Sequence, residues 1–548
     1  MNASAALLSI EGLTIDLPEK ADRRHAVENL NLSLNRNEIL CVVGESGSGK
    51  SLMSRAILGL FPSRHVKPSA GKIIFKGEDL LAASAARLRD LRGNRISMIF
   101  QEPMTALNPV MKIGAQIEEA LATHLQIEGK TRHTRVAEML AAVNLPDPEK
   151  IMQSYPHQLS GGQRQRAMIA MALMLEPDIL IADEPTTALD VTTQAQILKL
   201  IRQIQKKNGM GVLFVTHDFG VVAEIADRVA VMQSGLIVEQ GAAEEVLERP
   251  KAQYTRSLLE SVPSLIPGPK IDFAAKQVMI AAKGLSKTYK SGGSFFASSG
   301  RQVNAVNSVD FEIRHGETLG IVGESGSGKS TLARCITRLV DSDDGSILIN
   351  GVDIAKLKQD QLRPVRRRMQ MVFQDPFGSL NPRRTVGQLI SEGPIVHGIP
   401  DDQAWQRTYE LLELVGLERK AANRYPHEFS GGQRQRIGLA RALALQPEIL
   451  VADEPVSALD VTVQSQVLNL LSDLRGKLGL TMLFITHDLR VASQVCDSIA
   501  VMLKGEIVEY GPVADVYANP RHAYTKELLA AVPGRDWSHL RDGASQLN

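Results

Sequence analysis

Cysteine is nearly absent. The 548 residues hold three, Cys41, Cys335 and Cys496, widely spaced and odd in number. No disulfide framework or metal-ligand spacing can be built from them, so they read as small buried apolar groups in a reducing compartment. A charge excess is also missing: 62 Lys and Arg against 61 Asp and Glu leave a formal +1, which argues against nucleic acid or an anionic membrane as an electrostatic partner. Nothing approaches the roughly 18 uninterrupted apolar residues of a membrane span. The nearest candidate, Met168–Ile181, is broken by Glu176, Pro177 and Asp178. The opening MNASAALLSIEG has no basic segment and its apolar run stops at Glu11, unlike a secretory signal. These absences predict a cytoplasmic protein whose attachment to a membrane, if any, comes through a partner.

What the chain has in quantity is repetition. GESGSGKS occurs at Gly44–Ser51 and again at Gly323–Ser330, and SGGQRQR at Ser160–Arg166 and Ser430–Arg436. The offset between copies is 279 at Lys50/Lys329, 273 at Gln101/Gln374 and 270 at Ser160/Ser430, and it stays at 270 through Tyr254/Tyr524. A shrinking offset with an unchanged order of motifs means loop deletions in the second copy. Two homologous domains of about 260 residues follow, too long for a solenoid unit. The first is expected over residues 1–263 and the second over 281–533. A linker over 264–280 joins them, where SLIPGPK lacks periodicity, and 534–548 form a tail. The second copy has an extra Gly/Ser-rich tract, Ser291–Arg301, read as a mobile hairpin loop.

Within each copy, short apolar runs (Glu38–Val43, Ile179–Ala182, Val212–Thr216) alternate with helical patterns. Such runs suit buried parallel strands whose C-terminal ends carry a site. The stretch from Gln101 to Ser160 is mainly helical and is expected to form a separate lobe. The predicted class is therefore α/β, two tandem domains each with a parallel-sheet core and a helical subdomain; the repeated GESGSGKS, the phosphate-binding loop pattern, makes them P-loop NTPase domains.

GESGSGKS after an apolar strand is the phosphate-binding loop G-x-x-x-x-G-K-[ST]. Gly44, Glu45, Ser46, Gly47, Ser48 and Gly49 supply backbone amides around phosphates, Lys50 reaches the terminal ones and Ser51 ligates Mg²⁺. Gly323, Glu324, Ser325, Gly326, Ser327, Gly328, Lys329 and Ser330 repeat the arrangement. DILIADEP and EILVADEP each end a strand in paired carboxylates. Asp183 and Asp453 read as the Mg²⁺-side acids; Glu184 and Glu454, pointing to the opposite side, read as the groups that orient a water. Gln101 and Gln374 end strands where an amide can touch the metal or its water. His217 and His487, in FVTHD and FITHD, can hydrogen-bond a γ-phosphate. Ser160 reads as an N-cap whose following amides, Gly161 and Gly162, favour an anion, with Gln163 next; Ser430, Gly431, Gly432 and Gln433 match.

Phosphate loop, Q-loop, SGGQ signature, Asp-Glu pair, ALD loop (Ala188–Asp190, Ala458–Asp460) and switch histidine, in this order and twice, resemble the ATPase domains of ABC transporters. QEPMTALNP and QDPFGSLNP, YPHQLS and YPHEFS, and the segments QYTRSLLESVP and AYTKELLAAVP resemble the ATP-binding subunits of oligopeptide and dipeptide importers. With both halves on one chain, the resemblance is to the fused subunits of microcin C-type and glutathione importers. It implies ATP with Mg²⁺, two integral-membrane permeases, a periplasmic solute-binding protein, and a place on the cytoplasmic face of the inner membrane. It also implies a head-to-tail pseudo-dimer within one chain, each SGGQ closing over the opposite phosphate loop. One site would hold Lys50, Ser51, Gln101, Asp183, Glu184 and His217, completed by Ser430, Gly432 and Gln433. The other would hold Lys329, Ser330, Gln374, Asp453, Glu454 and His487, completed by Ser160, Gly162 and Gln163.

There are two departures from the family pattern. The aromatic that stacks on adenine matches Tyr289 in the second half, but the first half has Leu17. Many single-domain peptide-importer subunits carry a cysteine cluster in the C-terminal extension; here that extension has none, so no iron–sulfur cluster is expected. The basic stretches Arg87–Arg95 and Arg363–Arg368 recur at one architectural position and read as a solvated face, with no nucleic-acid partner. The rival reading is a soluble tandem ABC ATPase acting on ribosomes or nucleic acid, whose relatives carry a long charged linker and a basic surface.

Overall fold

The computed structural model describes residues 6–19, 23–63, 65–101, 106–186, 189–290, 302–457 and 459–537. The expected loop Ser291–Arg301 lies outside these, as do Ala188 and Ala458 of the two ALD loops.

The P-loop strand of the first half, Ile39–Val43, runs parallel to both its neighbours, Gly211–Val215 and Arg228–Gln233. Ile179–Asp183 and Ile96–Ile99 extend the sheet in parallel on one side, and Leu236–Ala242 closes the other edge antiparallel. All five residues of Ile39–Val43 are buried because both faces of the sheet are covered. Ile39, Cys41 and Val43 face a core shared with the helices, while Leu40 and Val42 face a second core. The alternation is the period of two of an extended chain.

That second core is roofed by an antiparallel sheet of four strands: His25–Leu34, Leu8–Asp16, Lys67–Phe75 and Glu78–Asp79. The sequence reading did not foresee this layer. The second half repeats both sheets, with Thr318–Val322 as its P-loop strand and Val278–Lys290 among the antiparallel strands. The latter strand starts inside the stretch expected as linker; residues 263–277 have neither helix nor strand.

The helical lobe of the first half comprises Ile113–His124, Gly129–Ala142 and Pro148–Gln153. It packs on the signature helix, Gly161–Leu173. In the second half Val386–Val396 and Asp401–Leu414 play that part against Gly431–Leu443. Among the described residues no helix is long and apolar enough to cross a membrane.

The halves exchange contacts. Val191 of the first half belongs to the hydrophobic core of the second. Trp537, in the segment expected as a tail, is buried in the core of the first, and the Gly534 amide donates to Glu224 at 3.4 Å. An indole outweighs the disorder usual near a chain end because burying its large apolar surface stabilises by more than the ordering of a few residues costs.

Candidate functional site

Four parallel strands of each half end at one edge of the sheet, and each end delivers one motif. In the first half Val43 leads into Gly44, Ile99 into Gln101, and Val215 into His217, while Asp183 closes its own strand. The phosphate loop then curls into the helix Lys50–Ile57. Gly44 and Gly49 have φ of +148° and +105°, and a Cβ on either would lie 2.1 Å from the Met232 carbonyl oxygen or 2.4 Å from that of Ala26. Both glycines are thus required by neighbouring backbone, a reason additional to phosphate binding.

Lys50 is buried and donates to the carbonyls of Gly44 (2.6 Å) and Glu45 (2.8 Å). Lys329 does the same with Gly323 and Glu324 at 2.8 and 2.7 Å. Burial pulls both ammonium pKa values below the ordinary lysine value, against the opposing pull of nearby carboxylates. Among those carboxylates is one from the other half: Asp460 for Lys50 and Asp190 for Lys329.

Ser51 Oγ donates to Asp183 Oδ1 at 2.9 Å, and Ser330 Oγ to Asp453 Oδ1 at 3.0 Å. Burial raises both carboxyl pKa values. The second oxygen of Asp183 is buried with no hydrogen-bond partner among the described residues, a cost that native structures rarely leave uncompensated. A hydroxyl and a carboxylate with a spare oxygen are hard-oxygen donors, which fit Mg²⁺.

Glu184 and Glu454 lie one residue past the strand and have φ of +48° and +46°. Of the two origins the sequence allowed for their divergence from the preceding aspartates, strand or turn, the backbone shows a left-handed turn. Gln101 Nε2 donates to Glu184 Oε2 at 2.9 Å, and Gln374 to Glu454 likewise at 2.9 Å. His217 Nδ1 lies 3.3 Å from Glu184, and His487 Nδ1 3.2 Å from Glu454. Burial opposes the charged form of both imidazoles, but the adjacent carboxylates outweigh it and raise both pKa values above the ordinary histidine value. Each half thus joins glutamine, glutamate and histidine into one hydrogen-bonded set.

The signature helices start as their sequence requires. Ser160 Oγ accepts from the Gln163 amide, and the Gln163 side chain accepts from the Ser160 amide, a reciprocal capping box. Ser430 and Gln433 repeat it. Gly162 packs so closely on Thr193 that a Cβ would lie 2.8 Å from its methyl, and a Cβ on Gly432 would lie 2.2 Å from a methyl of Val463. The starts of the helices that carry Thr193 and Val463, Val191–Asn208 and Val461–Leu478, cross between halves. Thr192 Oγ1 donates to Glu324 of the second phosphate loop, and the Ser46 amide of the first donates to Asp460 at 2.8 Å. Each signature end therefore adjoins a helix start that touches the opposite phosphate loop.

Two contacts escaped the sequence reading. The Tyr254 hydroxyl accepts from the Glu45 amide at 3.4 Å, and that of Tyr524 from the Glu324 amide at 2.9 Å. The available signal was the shared offset of 270 residues, which placed both tyrosines in register without saying what they touch. Leu17 packs against the first-half core, whereas Tyr289 is exposed, with the Lys287 ammonium 5.8 Å from its ring centre. The basic stretches are engaged internally: Arg87 pairs with Glu78 and Asp90, and Arg368 with Glu448. All three cysteines are buried and free.

Two P-loop sites meeting across an internal pseudo-two-fold define a tandem nucleotide-binding ATPase. The ABC transporter family model matches residues 27–187 and 306–457, and the model of the oligopeptide/dipeptide transporter C-terminal region matches 238–297 and 508–543. The glutathione import ATP-binding protein GsiA of Salmonella choleraesuis (strain SC-B67) is 45% identical over 98% of this chain and 91% of its own. Its counterpart in Escherichia coli O157:H7 is 46% identical with the same coverage. A solved bacterial ABC transporter cassette in dimeric form aligns with 43% of this chain and 99% of its own at 33% identity, with a TM-score of 0.39. The chain belongs to the ABC transporter family, as a tandem ATP-binding protein.

Proposed function

We propose that this chain is the ATP-hydrolysing subunit of an importer of peptides or peptide-like solutes. It works at the cytoplasmic face of the inner membrane, with two permease subunits and a periplasmic solute-binding protein. The family membership, the peptide-transporter C-terminal region in both halves and the near-full-length likeness to glutathione import proteins support this reading. The observation that carries the mechanism is the crosswise contact of the helix start beside each signature end with the opposite phosphate loop.

In this reading the amides of both phosphate loops and the ammoniums of Lys50 and Lys329 bind the ATP phosphates. Ser51, Asp183 and Gln101, and in the second site Ser330, Asp453 and Gln374, hold the metal. The chemistry a Mg²⁺ held there would supply is neutralisation of charge on the terminal phosphates. Glu184 and Glu454 orient the attacking water, held by the Gln101/His217 and Gln374/His487 hydrogen bonds, and the histidines face the γ-phosphate. Ser160, Gly162 and Gln163 complete the Lys329 site; Ser430, Gly432 and Gln433 complete the Lys50 site. ATP then favours the closed pair because its γ-phosphate bridges the halves, and hydrolysis removes the bridge. The helical lobes pass the motion to the permeases.

Replacing both Glu184 and Glu454 with Gln is expected to preserve ATP binding and to lower turnover by about 10³-fold or more. ATPase activity and nucleotide retention of the membrane-extracted complex, titrated with di- and tripeptides including glutathione, measure both. Undiminished hydrolysis in the double variant refutes the role of the glutamates.

A further inference from the structure

The switch histidines are each followed by an aspartate, Asp218 and Asp488, that caps the next helix: Phe219–Ile225 in the first half, Leu489–Val495 in the second. Asp218 accepts from the Gly220 amide at 2.8 Å and Asp488 from the Arg490 amide at 2.8 Å. At this point the two copies differ. Position 490 is arginine, and its counterpart 270 residues earlier is Gly220.

Arg490 is 8% exposed and lies between the halves. Its guanidinium forks onto Asp218, with Nη1 and Nη2 each 2.9 Å from one carboxylate oxygen. It also reaches Asp488 of its own half, Nε at 3.2 Å and Nη2 at 3.1 Å. Gly220 makes the room, for a Cβ there would lie 2.5 Å from Arg490 Nη1. One arginine fits on the pseudo-two-fold; a symmetric pair does not. Two half-buried carboxylates facing each other would repel, and a bidentate guanidinium is the side chain whose geometry can hold both. The cluster borders a cavity of about 110 Å³ between the halves, lined also by His217, His487, Thr216 and Thr486.

A continuous chain of contacts results. Glu184 bonds His217, whose neighbour Asp218 bonds Arg490; Arg490 bonds Asp488, whose neighbour His487 bonds Glu454. We propose that Arg490 is a positioning residue that couples the two ATP sites by locking the two switch-histidine loops to one another. A shift of either loop must move the shared guanidinium or break charge-assisted bonds in a buried place, where a carboxylate left unpaired is costly. The sites then adopt the hydrolysing arrangement together. Among the described residues the Arg490 guanidinium bonds Asp218 and Asp488. The inference rests on the reading of both sites as ATP-hydrolysing.

The test compares single-site variants in the full chain assembled with its permeases. With Arg490 present, Glu184→Gln is expected to reduce ATP turnover by about tenfold or more, within the usual range of coupling between sites. In an Arg490→Met background the same change is expected to cost only about twofold, the loss of one of two independent sites. The mirror change Glu454→Gln should behave alike. Asp218→Asn retains side-chain shape and leaves Arg490 its Asp488 partner; it is the second background, with the same expected twofold result. An assembly that hydrolyses ATP yet keeps half its rate after Glu184→Gln with Arg490 in place overturns the coupling and leaves the ATPase reading standing. A tenfold penalty that persists in both backgrounds overturns it equally.

Discussion

At the scale of single residues, the site is built on backbone that ordinary side chains avoid. Glu184 and Glu454 sit in the left-handed region, at a cost of about 1 kcal/mol or more each. The surrounding bonds hold them there: the Glu184 amide donates to Val215 at 2.9 Å and the Glu454 amide to Ile485 at 3.0 Å. A second anchor is Asp227, whose carboxylate takes both nitrogens of Arg202 (2.9 and 2.7 Å) and the amide of Ile39 (2.8 Å), fixing the start of the P-loop strand. Burial alone would raise the Asp227 pKa; the Arg202 and Ile39 bonds outweigh it and hold the carboxyl below its ordinary value. A depressed folded-state pKa means the contribution is complete above the unfolded carboxyl value and is lost as pH falls through the depressed one. Asp227→Asn is expected to cost about 1 kcal/mol at neutral pH, after allowing for solvent screening. Its gap to wild type should close as thermal melts are taken through the acid range. A gap that is constant with pH rejects the assignment.

At the scale of elements, the crosswise construction can be tested through a glycine. A methyl added at Gly432 meets Val463, on the helix whose cap, Asp460, holds the Ser46 amide of the opposite phosphate loop. Overpacking of this kind costs about 1–3 kcal/mol. Gly432→Ala is therefore expected to weaken nucleotide trapping at the Lys50 site by about tenfold, since about 1.4 kcal/mol corresponds to that factor, and to spare the Lys329 site. Site-resolved nucleotide cross-linking reads this directly, and a loss confined to the Lys329 site refutes the crossing. The motif-bearing strands were legible in the sequence because they are buried on both faces and read as short apolar runs ending in polar residues. The antiparallel layer was not. Its strands carry register shifts, as between Ile10 and Leu13 and between Leu13 and Ile15, which break the simple alternation of residues. Arg490 was passed over for a different reason. Repeats advertise what two copies share, and this residue matters where they differ.

At the scale of the whole molecule, residues 534–537, after the second half, return to the first. Trp537→Ala is expected to destabilise that docking by about 3 kcal/mol, the range for truncating a buried aromatic. Faster amide hydrogen exchange in Phe219–Ile225 would register it, because Gly534 packs directly on Gly220; unchanged exchange there refutes the docking role. On the other side of the pseudo-two-fold, Ser493 Oγ donates to the Ser264 carbonyl at 2.6 Å, so residues just after the first half are fastened to the helix Leu489–Val495. Both fastenings thus grip the short helices that follow the switch histidines. A pair of bodies pinned at two points keeps one free rotation, about the line through the pins. If both fastenings hold while the nucleotide sites open, that opening would be the swing of a clamshell whose hinge pin runs through the switch helices.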